Sequence, residues 1–237
     1  MEVHHHPNVE KKSFKEYLLE GLMIFLAVSM GFIAENIREN ISEHEIEKRN
    51  MELIVDNLKE DTTALRKVII NKTKALVIID SMLQFRNKNL KDYKTFLLFY
   101  SLFNRSQITS WFRSNQSGLD QMKSSGNLRL VENTKVLDSL YRYEKASKSI
   151  ELYNGDQDRE LIMKSLQLAA QFLVFDDINP QTFNLESQNN AINIFYNYNS
   201  TVYGNYKDFY IPQLQKQFER GKRLINLLQE EFKLENK

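Results

Sequence analysis

The 237-residue chain has no cysteine. That excludes disulfides, thiolate nucleophiles and thiolate metal sites. It leaves the compartment open, because a cysteine-free protein suits the cytoplasm and an oxidising periplasm alike. Glycine and proline are scarce, at 7 and 3. The prolines are Pro7, Pro180 and Pro212, so none stands between Asn8 and Asn179. Turns between strands draw on Gly, Pro, Asn and Asp at set positions, and so long a run without proline predicts helix. Neither sign of charge is in excess, with 32 basic and 31 acidic side chains. Nucleic-acid binders carry a basic excess on one face, so no nucleic-acid partner is expected. G-x-S-x-G, Walker A, G-x-G-x-x-G and H-E-x-x-H are all missing. The acidic pairs Asp176-Asp177 and Glu230-Glu231 are of a kind common at helix ends. The chain therefore reads as non-enzymatic, with no catalytic residue and no cofactor.

One long apolar run is present: FKEYLLEGLMIFLAVSMGFIAENIRE, Phe14 to Glu39. Gly21 to Ala34 holds no charge, and extension back to Tyr17 admits only Glu20. A bilayer core needs about 20 mainly apolar residues, so 17–36 lies within range as a transmembrane helix. The rival is a buried helix of a soluble bundle. Three features favour the span. The run has no polar stripe; Lys11, Lys12, Lys15 and Tyr17 precede it and Arg38 follows; and Ala27, Gly31 and Ala34 share one face, as small residues do where helices meet in lipid. Glu20 projects within about 20° of Ala27. It is either an interfacial carboxylate or a buried group at a helix contact or ion path. Cleavage after Ser29-x-Gly31, as in a signal peptide, is opposed by Glu2, Glu10 and Glu16 and by apolar residues beyond that site. The lysines before the span place the N-terminal tail, 1–16, in the cytoplasm and the following domain in the periplasm of a bacterial inner membrane.

Beyond the span, Ile37, Ile41, His44, Lys48, Met51, Val55, Leu58, Thr62, Leu65 and Ile69 recur three and four apart, a broken heptad pattern. It predicts a stalk and bundle helix over 37–87, with ENIRENISEHEIEKRN as its solvated part. Residues 88–237 form the rest of an antiparallel helical bundle. Asp92 to Phe103 is a core helix too short to be a second span. Gly126 fits a positive-φ position after a helix, and Asn133 or Thr134 caps the next one. Gly155 separates that helix from another over Asp156 to Phe175. Asp156, Asp158 and Glu160 then stand in a first turn, where the helix dipole favours acids; a calcium loop would need more ligands and a glycine. Residues 177–207 are irregular, with one short helix around Gln188 to Asn197. Pro212 opens the last helix, whose stripe Ile211, Leu214, Phe218, Gly221, Ile225, Leu228 and Phe232 is expected to pack antiparallel on the long first helix. The fold class is all-α.

Two places carry binding chemistry. Trp111, Arg113, Ser124, Ser125 and Arg129 bracket a serine-rich segment in which an arginine fork can hold an anion; ion pairs with helix carboxylates are the plainer reading. His4, His5 and His6 offer imidazoles to a metal or haem, or form a polar tail.

Two stretches, HHHPNVEKKSFKEYLLEGLMIFLAVSMGFIAENIRE and QMKSSGNLRLVENTKVLDSLYRYE, resemble an uncharacterised family of Bacteroidota single-span membrane proteins, a domain of unknown function. The first carries the histidine triplet, the lysine pair, the span and its closing Ala-Glu together. The resemblance implies one N-terminal anchor in a bacterial inner membrane and brings no activity or catalytic residue with it. The expectation is a scaffold or accessory subunit of a membrane complex. Its partners are the lipid bilayer and either other proteins or its own copies, through the span and stalk. The alternatives are a membrane-anchored sensory or ligand-binding domain, and a metal- or haem-associated protein.

Overall fold

A computed structural model describes residues 13–173 and 189–234. Among them the chain is helical, with no strand. It divides into two compact units, residues 1–47 and 48–237. The first helix, α1, runs Phe14–Leu83 and contributes to both.

In the first unit, the apolar part of α1 is uncovered. Phe14 is 82 % exposed, Phe25 66 % and Phe32 73 %, and none of the most apolar window is buried. This is one helix long and apolar enough to cross a membrane. The core helix of a soluble bundle would instead be covered by its own chain. The charged stretch after it, Glu35 to Arg49, is also largely exposed.

The second unit is built from three long helical runs. The first is α1 from Asn50 onward, closed by a 3-10 turn at Gln84–Asn87. The second joins α4 (Thr134–Leu152) to α5 (Arg159–Ala169) through a π-helical turn at Tyr153–Asp158. The third joins α6 (Asn189–Asn205) to α7 (Ile211–Phe232) through another π turn at Tyr206–Tyr210. Two shorter helices, α2 (Tyr93–Ser106) and α3 (Ser117–Ser124), fill in beside them.

α7 packs on α1 in antiparallel register. Thr62 meets Gly221, Arg66 lies over Phe218, and Lys72 lies over Tyr210. α4 closes the other side of α7: Gln217 donates to the Tyr143 carbonyl (3.0 Å) and to Ser147 Oγ (2.8 Å). Gly221 marks a close approach, because a Cβ there would lie 2.9 Å from Thr62 Cγ2 and 3.3 Å from Tyr143 Cε2. Apolar burial has two centres. Met51, Ile54, Leu58, Leu140, Leu224 and Leu228 make one. An aromatic centre round Phe99, Phe103, Phe172, Phe195 and Tyr196 makes the other, with several ring pairs edge to face. That geometry suits the ring quadrupoles.

Local signals match the caps. Asp92 accepts from Thr95 N (2.9 Å) at the start of α2, Asn133 accepts from Lys135 N (2.9 Å) at the start of α4, and Gly126 has φ 73°. Two expectations need correction. Gly155 does not end a helix, for it lies inside the first π turn. The region up to Lys207 is more regular than expected from Asn189 onward, where helix is continuous; 177–188 lies outside the described residues. Pro212 does sit at the start of α7, but within a continuing helical run. A proline ring clashes with the carbonyl four residues back in an ordinary helix. The carbonyl four residues back belongs to Asp208, inside the π turn at Tyr206–Tyr210, where the bonding pattern is not that of an ordinary helix.

Candidate functional site

The two π turns face one another across a buried polar centre. Lys72 and Asp158 have no exposed side-chain surface, and Lys72 Nζ lies 2.6 Å from Asp158 Oδ2. Tyr206 donates its hydroxyl to Asp158 Oδ1 (2.6 Å), and the ammonium sits 4.8 Å and 5.6 Å from the Tyr206 and Tyr210 ring centroids. Tyr210 donates to Asn154 Oδ1, and Tyr153 donates to Asn205 Oδ1. Burial pulls the Lys72 pKa below the ordinary lysine value, with Asp158 acting against it. Burial, then the Asp158 charge, pushes the Tyr206 and Tyr210 hydroxyls upward, so both stay protonated and able to donate. An ion pair this deep holds only when hydrogen bonds satisfy both partners, as they do here. It fixes register between three helical runs. It presents no reactive group to solvent.

The π turn explains why Asp158 is inside. An α-helix advances 100° per residue, whereas a turn with i→i+5 bonds advances about 80°. Six residues of it rotate the following helix so that Arg159 inherits the face of Glu151, and Asp158 turns inward. The first-turn role expected for Asp158 is thereby overturned: it makes no capping bond and is buried against Lys72.

A second polar centre pins the loop after α2. Asp61 accepts from Ser114 Oγ (2.5 Å), Asn115 N (2.7 Å) and Tyr143 Oη (2.9 Å). Burial raises its pKa, and these donors offset part of that rise. Glu151 accepts from Ser114 N (2.7 Å), Asn154 donates to the Phe112 carbonyl (2.8 Å), and Asn57 accepts from Gly118 N (2.9 Å). A side chain on Gly118 would crowd Asn57 Oδ1 and Ile54 Cγ1 at 3.0 Å each. Phe112 is buried at 1 % exposure and anchors the loop.

Beside this loop opens a cleft of about 420 Å³ lined by Trp111, Phe112, Arg113, Glu151, Asn154 and Arg159. It unites two of the five residues expected to form a pocket, Trp111 and Arg113. The other three lie elsewhere. Ser124 and Ser125 donate to the Gln121 and Met122 carbonyls of their own helix, and Arg129 belongs to a 3-10 turn at Asn127–Leu130. Sequence reasoning missed Glu151, Asn154 and Arg159, because the π turn that aligns them has no established sequence signature.

On α1, Glu20, Ala27, Gly31 and Ala34 are all exposed, and nothing lies within 4 Å of a Cβ built on Gly31. His4, His5 and His6 lie outside the described residues. Among the described residues no three His, Cys, Asp or Glu side chains converge to hold a metal. No protein-family model, no curated protein and no solved structure matches the chain.

Proposed function

We propose that this chain is a single-span bacterial inner-membrane protein whose helical domain is a structural or interaction subunit of a membrane complex. The observation that carries the proposal is the uncovered apolar stretch of α1. Thirteen large apolar side chains from Phe14 to Ile33 are exposed. Leaving them in water rather than in an apolar medium costs on the order of tens of kcal/mol. A bilayer removes that cost without any change in the bundle.

The non-enzymatic part rests on the sealing of the charged centres. Lys72 and Asp158 are wholly buried against each other, and Asp61 accepts from three donors. Self-association draws on the open face at Ala27, Gly31 and Ala34, where small residues let backbones approach in lipid. The N-terminal tail is placed in the cytoplasm and the helical domain in the periplasm, on the strength of Lys11, Lys12 and Lys15. In-membrane cross-linking of full-length protein tests the association. Gly31→Leu is expected to reduce it while membrane retention persists; association unchanged by that substitution overturns the packing face.

A further inference from the structure

We propose that the cleft beside Trp111 binds a small organic anion, with Arg113 and Arg159 taking its oxyanion group and the Trp111 ring taking a flat apolar body. Trp111 is the only tryptophan and is 58 % exposed, yet its loop is fixed on both sides. Asn71 donates to Ser110 Oγ (3.2 Å), Phe112 is buried, and Ser114 is held by both Asp61 and Glu151. A large aromatic ring is therefore presented to solvent by an ordered backbone, which keeps the entropy loss on binding small.

The charges in the cleft point to the ligand. Among the described residues neither Arg113 nor Arg159 has an ion-pair partner, while the one carboxylate present, Glu151, already accepts from Ser114 N at 2.7 Å. Among the described lining residues two guanidinium forks stand against one engaged carboxylate, and arginine matches carboxylate and phosphate oxygens in bidentate geometry. The π turn rotates Arg159 to the side of Glu151 and Asn154, so the cleft depends on that local departure from α-helix. Its volume, about 420 Å³, falls within the range of small-ligand pockets, about 300–1,000 Å³. The proposal is independent of the membrane reading, which concerns another unit.

Trp111 fluorescence of the full-length detergent-solubilised protein is the reporter. Phenylacetate and phenyl phosphate are titrated separately, with inorganic phosphate and benzyl alcohol as partial mimics. At least one aromatic anion is expected to give a saturable change, tighter than either partial mimic gives. Carboxylate or phosphate preference then distinguishes the two oxyanion classes. Arg113→Gln and Arg159→Gln are expected to weaken binding about tenfold or more, the loss of a charged hydrogen bond, with the melting temperature little changed because both side chains are exposed. Arg129→Gln, outside the cleft, is expected to bind as the parent does. The proposal is overturned by no saturable response to either aromatic anion, by binding insensitive to both cleft substitutions, by inorganic phosphate binding as tightly as phenyl phosphate, or by an equal loss in Arg129→Gln.

Discussion

The two parts of α1 invert each other. From Phe14 to Ile41 the helix exposes nearly every large apolar side chain it has; from Asn50 to Met82 it buries Asn50, Asn57, Asp61 and Lys72 along with its apolar stripe. The difference is not one of helix formation, since both parts belong to one continuous helix. It is one of surroundings. In the second unit each of Asn57, Asp61 and Lys72 meets a donor or acceptor from another segment, which makes polar burial tolerable. In the first the apolar side chains from Phe14 to Ile33 have no cover from the described chain, as expected of the membrane-spanning helix proposed above.

The largest effect that tests this contrast is removal of one member of the buried pair. Asp158→Ala or Lys72→Ala is expected to lower the unfolding free energy of the bundle by about 3–5 kcal/mol, because the remaining charge is stranded. The paired change Lys72→Met with Asp158→Leu is expected to recover most of it. Denaturant unfolding of the solubilised protein reads both. If the single and double variants unfold alike, the pair does not act as a unit.

Glycine substitutions sharpen the comparison on a smaller scale. Alanine gains about 1 kcal/mol over glycine in a helix interior, but at Gly221 the new methyl meets Thr62 Cγ2 at 2.9 Å. Overpacking costs about 1–3 kcal/mol, so Gly221→Ala is expected to lose up to about 2 kcal/mol net. Gly31→Ala, with open space around it, is expected to leave bundle unfolding unchanged. Equal losses at both positions contradict the picture. Asn133→Ala removes the cap of α4 and is expected to cost about 1 kcal/mol, read from the same unfolding curves.

The smallest effect is a pH dependence. Burial pushes the Glu144 carboxyl up, but hydrogen bonds from Lys123 and Lys148, each 2.6 Å, outweigh it and hold the carboxyl below its ordinary value. Its stabilisation is therefore present above the ordinary carboxylate range and is lost as pH falls through the lowered value. Glu144→Gln is expected to flatten the acid side of the stability profile slightly, since both lysines are partly exposed and screened.

Much of this architecture was legible in the sequence. The heptad spacing from Met51 to Leu65 marks buried positions, Pro212 marks the start of α7, and the stripe through Gly221 correctly finds α1 as its antiparallel partner. Lys72 lies three residues beyond Ile69, where the stripe as read ends, and neither its burial nor its partner was legible, since the polar stripe members His44 and Lys48 are not buried. Asp158 lies far along the chain, and the π turn that rotates it inward depends on tertiary packing rather than on local propensity. The same rotation hid Arg159 from the expected pocket, while Ser124, Ser125 and Arg129 were near Trp111 in sequence only.

The central claim is that α1 crosses a membrane, and the absence of cysteine makes it directly testable. Ser13→Cys and Ser42→Cys place single thiols on exposed positions either side of the apolar stretch, against a zero background. Labelling with a membrane-impermeant maleimide compares intact spheroplasts with lysed ones. The account predicts that Cys at 42 reacts in intact spheroplasts and Cys at 13 only after lysis. The opposite asymmetry keeps the span and reverses its orientation; identical behaviour at the two positions contradicts the span itself.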